Sequence, residues 1–402
     1  MLLTDGIACH TLTREEVCLK IKNSSSELVI EACTLRSLAG GVGFPSLHWF
    51  GIVNDHDILA IDCFGPSLEH FFNQMGRQFS SEYLYLLADQ LLSRLEFAHS
   101  RFIVHGDLNP YSVTISYFPW QFQQIVLSCP ISAARPGYSA HDDLLALGDL
   151  IHYFSSGTVS WVEFQRDQYN GKFTKKPAIL DRYTDAVFSA DPPDYSALRK
   201  IFCDAHQYMD FSIPISSSGK ILELESEMSA ILRSSTKRLF EVLGSKISEV
   251  GRKTGDPTAA WSQHRGVNLL QALPNILQIY TELMFRYCSP PSKECSLFRP
   301  YHLPNRLWLD LLWYVGNARS ASAPFQKAVV GTIYRYITIL LEVIPFEKIY
   351  WVGYLAVLAR LSKEMEVGFQ RRIWEQTRLY WENQVKQVKA EGITNMADSH
   401  LI

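Results

Sequence analysis

The sequence carries almost no net charge, no Cys-x-x-Cys pair and no unbroken apolar run, and each shortage removes a class of function. Its 38 basic and 41 acidic side chains leave a formal charge of -3, so no global basic field draws it to nucleic acid or to anionic lipid. The start, Met1-Leu2-Leu3-Thr4-Asp5-Gly6, lacks the basic stretch and long apolar core of a secretory leader. The most apolar segment, Ile333 to Phe346, is interrupted by Arg335, Glu342 and Pro345, which argues against a membrane span. The eight cysteines (Cys9, Cys18, Cys33, Cys63, Cys129, Cys203, Cys288 and Cys295) show no metal-type pairing and several sit inside apolar runs. They read as reduced core thiols. A cytoplasmic or nuclear chain with no membrane partner is the expectation.

What is present is core-building material in two styles. From Val17 to Trp161 short β-branched runs alternate with longer helical periodicities, the pattern of a two-lobed α+β region. Val17-Cys18-Leu19-Lys20-Ile21 and Ile58-Leu59-Ala60-Ile61-Asp62 read as strands, and Ser26 to Ala39 as a helix. Ser80-Ser81-Glu82 caps a helix expected to run to His99, with Leu84, Leu87, Ala88, Leu91, Leu92 and Leu95 on one face. The stretch Ser216-Ser217-Ser218-Gly219 marks a composition break. A long amphipathic helix is expected after it, carried by Ile221, Leu224, Met228 and Ile231 and resumed at Leu239, Val242 and Leu243. Further on, apolar stripes at Leu269 to Phe285, Leu307 to Val315, Phe325 to Ile344 and Ile349 to Leu361 have the rhythm of stacked helical hairpins. The expected division is 1–212, a linker 213–260, an all-α region 261–390 and a disordered tail 391–402.

Three blocks in the first region stand in a telling order. The first is Glu16-Val17-Cys18-Leu19-Lys20 followed by Glu31 on the next helix. The second runs from Leu38-Ala39-Gly40-Gly41-Val42-Gly43-Phe44-Pro45 to Ile61-Asp62-Cys63-Phe64-Gly65-Pro66-Ser67-Leu68-Glu69. The third is Ala88-Asp89-Gln90-Leu91-Leu92-Ser93-Arg94-Leu95-Glu96 ahead of His105-Gly106-Asp107-Leu108-Asn109-Pro110. Together they resemble the casein kinase I family. Asp142-Asp143-Leu144-Leu145-Ala146-Leu147-Gly148, with the stretch from Tyr153-Phe154 to Trp161, is similar to that family's helix F, and Pro192 to Arg199 to a late segment of the C-lobe. The resemblance implies a two-lobed protein-kinase-like fold with a truncated N-lobe. It pairs Lys20 with Glu31 over the phosphates of ATP and offers the backbone at Asp62, Cys63 and Phe64 to the adenine. It sets Asp107 at the base position, makes His105 a packed residue, and has Asp143 tie down the catalytic loop.

The same resemblance shows what has been replaced. The family's catalytic loop reads His-Arg-Asp-x-Lys-Pro-x-Asn; here the arginine is Gly106, the lysine Asn109 and the metal-binding asparagine Ser112. The Asp-Phe-Gly motif aligns with Ser128-Cys129-Pro130. Serine hydroxyls are poor substitutes for a carboxylate on a hard dication, so no magnesium is expected. Cys18 and Thr114 stand where the family packs its own residues against the adenine ring. The chain starts near the second strand, with Gly6 the one relic of a glycine-rich loop, and only residues 131–142 lie between Pro130 and Asp143. The expectation is a catalytically impaired binding or scaffolding module, with ATP binding without metal left open. An unconventional serine/threonine kinase is the alternative.

The second half is rich in Trp and Tyr at helical spacing, which reads as helix–helix packing. Leu303-Pro304-Asn305-Arg306-Leu307-Trp308 and Tyr350-Trp351-Val352-Gly353-Tyr354-Leu355-Ala356 to Arg360 look like a helical-repeat region of tetratricopeptide type found in fungal proteins. That resemblance implies protein partners through the helical half, and a further alternative in which the kinase part is vestigial. Arg371, Arg372, Trp374, Arg378, Trp381, Lys386 and Lys389 read equally as a solvated helix face or as a surface for nucleic acid.

Overall fold

Strand alternation and one helix build the first layer. In a computed structural model, β1 (Gly6–Cys9), β2 (Glu16–Asn23), β3 (Leu47–Val53) and β4 (His56–Asp62) form a four-stranded antiparallel sheet in the order β1-β2-β4-β3. Helix α1 (Ser26–Ser37) packs on β3 and β4 and buries Leu28, Ala32 and Leu35. The structure describes residues 6–10, 16–23, 26–116, 124–128, 137–157, 160–170, 177–207, 273–274, 276–281, 303–319, 321–344 and 347–398.

A second, three-stranded sheet follows, β5 (Phe64–Ser67), β6 (Val113–Ser116) and β7 (Ile125–Leu127), in that order. Helices α2 (Leu68–Gln74) and α3 (Ser81–His99) come between its first two strands. Ser67 and Ser80 cap them, each hydroxyl accepting a first-turn backbone N–H at 3.2 Å. The six apolar residues that the sequence sets on one face of α3, from Leu84 to Leu95, are all buried. They pack with α4 (Ala140–Ser156) and α7 (Tyr195–Gln207); α5 (Trp161–Tyr169) and α6 (Ala178–Phe188) complete the group. The stretch from Tyr153 to Trp161 is not one helix. Gly157 ends α4 in the left-handed conformation at φ 66°, and Ser160 caps a new helix at Trp161.

The chain splits into two compact units, one holding β1 and Glu16–Phe211 and the other Ser212–Ile402. The first is α+β and the described part of the second is helical. In the second, 273–274 and 276–281 are helical, followed by α8 (Leu303–Ala318), α9 (Ala323–Val343), α10 (Lys348–Met365) and α11 (Gly368–Asp398). Successive helices pack pairwise, with Pro304 and Pro324 in first turns, where a missing N–H leaves no bond unmade. Helix α11 runs through Asp398, and residues 399–402 of the tail expected at 391–402 lie outside the described residues. A lone Gly392 costs a helix only about 1 kcal/mol, too little to stop it. The composition break at 216–219 and the stripe at 221–243 lie outside the described residues.

The cysteines differ from the expectation of core thiols. Of the five described, Cys9, Cys33 and Cys203 are exposed and Cys18 and Cys63 half-buried; none of the five is in a disulfide and none is in the core. Strand alternation and helix rotation, invisible in a local apolar run, turned them outward. Among the described residues no helix is long and apolar enough to cross a membrane.

Candidate functional site

The period of two along β2 places Cys18 and Lys20 on one face, opposite Ile61 and Leu59 of β4. Leu59 and Ile61 are buried. Glu31 lies within the buried side of α1, and Lys20 Nζ donates to its Oε1 at 2.6 Å. The carboxylate side chain is 5% exposed and the lysine 31%. The ammonium therefore holds a sunken anion, while about a third of the lysine side chain still meets solvent.

The residues after β4 are more committed. The Asp62 carboxylate accepts from the backbone N–H of Ser46 at 2.8 Å and from His48 Nε2 at 2.7 Å, while its own N–H donates to the Ser46 carbonyl at 3.3 Å. Phe64 pairs with Ser116 across β5 and β6. Cys63 lies between them, its sulfur 3.0 Å from that of Cys18. Burial pushes the Cys63 thiol up to about 12, and the bond to Cys18 and the Glu16 and Asp62 carboxylates act in the same direction. Thr114 Oγ1 donates to the Val126 carbonyl at 3.3 Å, so this hydroxyl is absorbed by its own sheet.

Asp143, at the start of α4, is the most heavily bonded carboxylate of the site. Its side chain is 1% exposed. It accepts from the backbone N–H of His105 at 2.6 Å, that of Gly106 at 2.8 Å and His99 Nε2 at 2.9 Å. Gly106 has φ 72°, a conformation that suits glycine and disfavours residues with a Cβ. The other ring nitrogen of His99 meets the Tyr195 hydroxyl. This histidine escapes sequence reading because only packing of α3 against α4 and α7 brings it to Asp143. His105 Nε2 donates to the Ser128 carbonyl at 3.0 Å, and its Nδ1 accepts the N–H of Asp107 at 3.3 Å. Burial lowers the His105 pKa, against the opposing pull of Asp143, so the imidazole is neutral and its tautomer is set by these two bonds.

Asn109 and Ser112 turn their polar groups inward upon the loop. Asn109 Oδ1 accepts the N–H groups of Tyr111 and Ser112 at 2.9 and 3.1 Å, and its Nδ2 donates to the Asp107 carbonyl at 3.0 Å. The Ser112 hydroxyl donates to the Asn109 carbonyl at 2.9 Å and accepts the Asn109 N–H at 3.0 Å. Ser128 contributes its N–H to the Ser112 carbonyl at 2.9 Å. A divalent ion needs several hard, anionic oxygens. Two neutral hydroxyls, one of them already donating and accepting, do not fit one. Among the described residues no three His, Cys, Asp or Glu side chains are grouped to hold a metal. Asp107 itself is exposed; its backbone, through the His105 and Asn109 contacts, closes the turn.

In the second unit the basic–aromatic series divides. Trp381 is buried and its indole donates to the Tyr334 hydroxyl at 2.6 Å, and Trp374 meets the same tyrosine edge-on. Arg378 bridges Glu375 and Glu382, holding the Glu375 carboxyl down to about 2. Arg371, Arg372, Lys386 and Lys389 are exposed. No protein-family model matches the chain.

Proposed function

We propose that the first unit is a casein kinase I-like pseudokinase and that the chain works as a binding or scaffolding module, presenting surfaces rather than turning over substrate. The observation that carries this reading is the Ser112 hydroxyl, bonded in both directions to Asn109. Phosphoryl transfer consists mostly of positioning and charge neutralisation, and here both positions that would neutralise phosphate or hold metal are spent on loop closure. The strand carrying Lys20, the helix carrying Glu31, and Asp143 bonded to the His105-Gly106 backbone support the kinase-like part of the reading. Protein partners belong to the helical second unit.

Incubation with a casein-like or phosphoprimed peptide and ATP, with magnesium or manganese, is expected to transfer no phosphate above the level of an Asp107→Ala variant. Steady transfer that disappears in that variant would establish the unconventional kinase instead. The Lys20–Glu31 contact favours one companion reading, in which the unit still holds a nucleotide without metal. A ligand at a hundred times its dissociation constant adds about 2.7 kcal/mol. A melting shift with ATP alone, lost in Lys20→Ala, would support that companion; a shift that requires metal would count against the pseudokinase.

A further inference from the structure

We infer that Cys18 and Cys63 form a dithiol site that closes to a disulfide under glutathione disulfide, fastening β2 to the segment that leaves β4. The inference stands apart from the pseudokinase reading, because it uses only two sulfurs and the sheet that brings them together.

Cys18 is opposite Ile61 in the β2–β4 register. Two residues on, Cys63 returns to the same face, and the sulfurs meet at 3.0 Å. A disulfide needs about 2.05 Å, an approach of about 1 Å. Both side chains are half-buried, within reach of a small disulfide yet held beside each other by the sheet. That proximity makes closure intramolecular, which favours it over capture of a second glutathione. The high pKa of Cys63 keeps its thiolate scarce at neutral pH; it slows exchange without setting the equilibrium.

The chemistry balances with glutathione disulfide as oxidant. One cysteine thiolate attacks it, forming a mixed disulfide and releasing one glutathione thiolate. The second cysteine, deprotonated, attacks the protein sulfur of that mixed disulfide and expels the second. Two electrons pass from the cysteines to glutathione, and the two cysteine protons end on two reduced glutathione molecules. The product joins positions 45 residues apart, and a link across a loop of that size restricts the unfolded chain. Cys9 is the natural competitor. Ile7 is opposite Cys18 and Cys9 opposite Glu16, so Cys9 shares this face, diagonal to Cys18 on the other flank of β2.

The test uses the full chain, incubated with glutathione disulfide at mildly alkaline pH, alkylated, digested and mapped by mass spectrometry. The expected result is a Cys18–Cys63 crosslinked peptide pair that dithiothreitol reverses, that Cys63→Ser lacks, and that accompanies a raised melting temperature. Glutathione adducts on either residue without a crosslink would overturn the inference. So would a crosslink through Cys9, or two unreacted thiols under conditions that modify exposed Cys9 and Cys33. The wild-type peptide map decides the matter even where the variant does not fold. As a second measurement, phenylarsine oxide, which spans two adjacent sulfurs, is expected to protect Cys18 and Cys63 together from alkylation; alkylation of both in its presence counts against the site.

Discussion

Glu31 and Asp143 are both carboxylates sunk below the surface of the first unit, and they are held in different company. Glu31 has Lys20, whose side chain is partly exposed to solvent. Asp143 has two backbone N–H groups and an imidazole, all within 2.9 Å, and is closed off from water. A buried anion surrounded by donors from two other segments is a tie: its removal strands those donors. A buried anion whose cationic partner stays partly exposed is a place where another anion can compete for that cation. The difference separates the part of the site that holds the loop in shape from the part whose cation stays partly exposed.

The largest effect is expected at Asp143. Asp143→Ala leaves three donors without their acceptor and is expected to cost about 3–5 kcal/mol, read by urea unfolding of the full chain; a loss under 1 kcal/mol would reduce the tie to an ordinary surface contact. Next is the buried Arg94, whose guanidinium donates to the Gln90 and Ile125 carbonyls at 3.0 and 2.8 Å beneath the Gly41–Gly43 turn. Gly43 has φ 70°, and a Cβ there would sit 2.2 Å from Arg94 Nε. Gly43→Ala is expected to cost about 2 kcal/mol in the same unfolding assay.

His105 supplies a pH test of the same loop. Its folded pKa lies below the ordinary 6.5, so between those values the unfolded chain binds the extra proton. Stability is then full above about 6.5 and declines as pH falls toward the folded value, with a slope of at most about 1.4 kcal/mol per unit for one proton. The slope between pH 7 and 5.5 is expected to flatten in His105→Gln; an unchanged slope would transfer the effect to another group. The smallest effect is expected at the open pair. Lys20→Ala should lower stability by about 1 kcal/mol or less, and a markedly larger loss would make Lys20–Glu31 a tie of the Asp143 kind.

Much of the first unit was legible residue by residue. The Leu84-to-Leu95 stripe, the Ser80 cap and the strand carrying Lys20 are local patterns, and local patterns survive folding because helix and strand periods are properties of the backbone. Other features were not legible. His99 is an ordinary helix-end histidine until α4 brings Asp143 to it. Asn109 and Ser112 are ordinary polar residues until the turn shows the Ser112 hydroxyl bonded to the Asn109 backbone and the Asn109 amide to the backbone of Asp107, Tyr111 and Ser112.

The sequence by itself determined the division of styles, α+β before helical, and the chemical poverty of the loop at 105–112, because residue type and period are written along the chain. Only the tertiary structure decided which groups meet: Cys18 with Cys63 across strand register, Arg94 under the Gly43 turn, His99 between Asp143 and Tyr195. Each of these joins residues from separate elements. Such contacts follow from how faces pack, and packing is decided by the whole core at once rather than by any stretch of it.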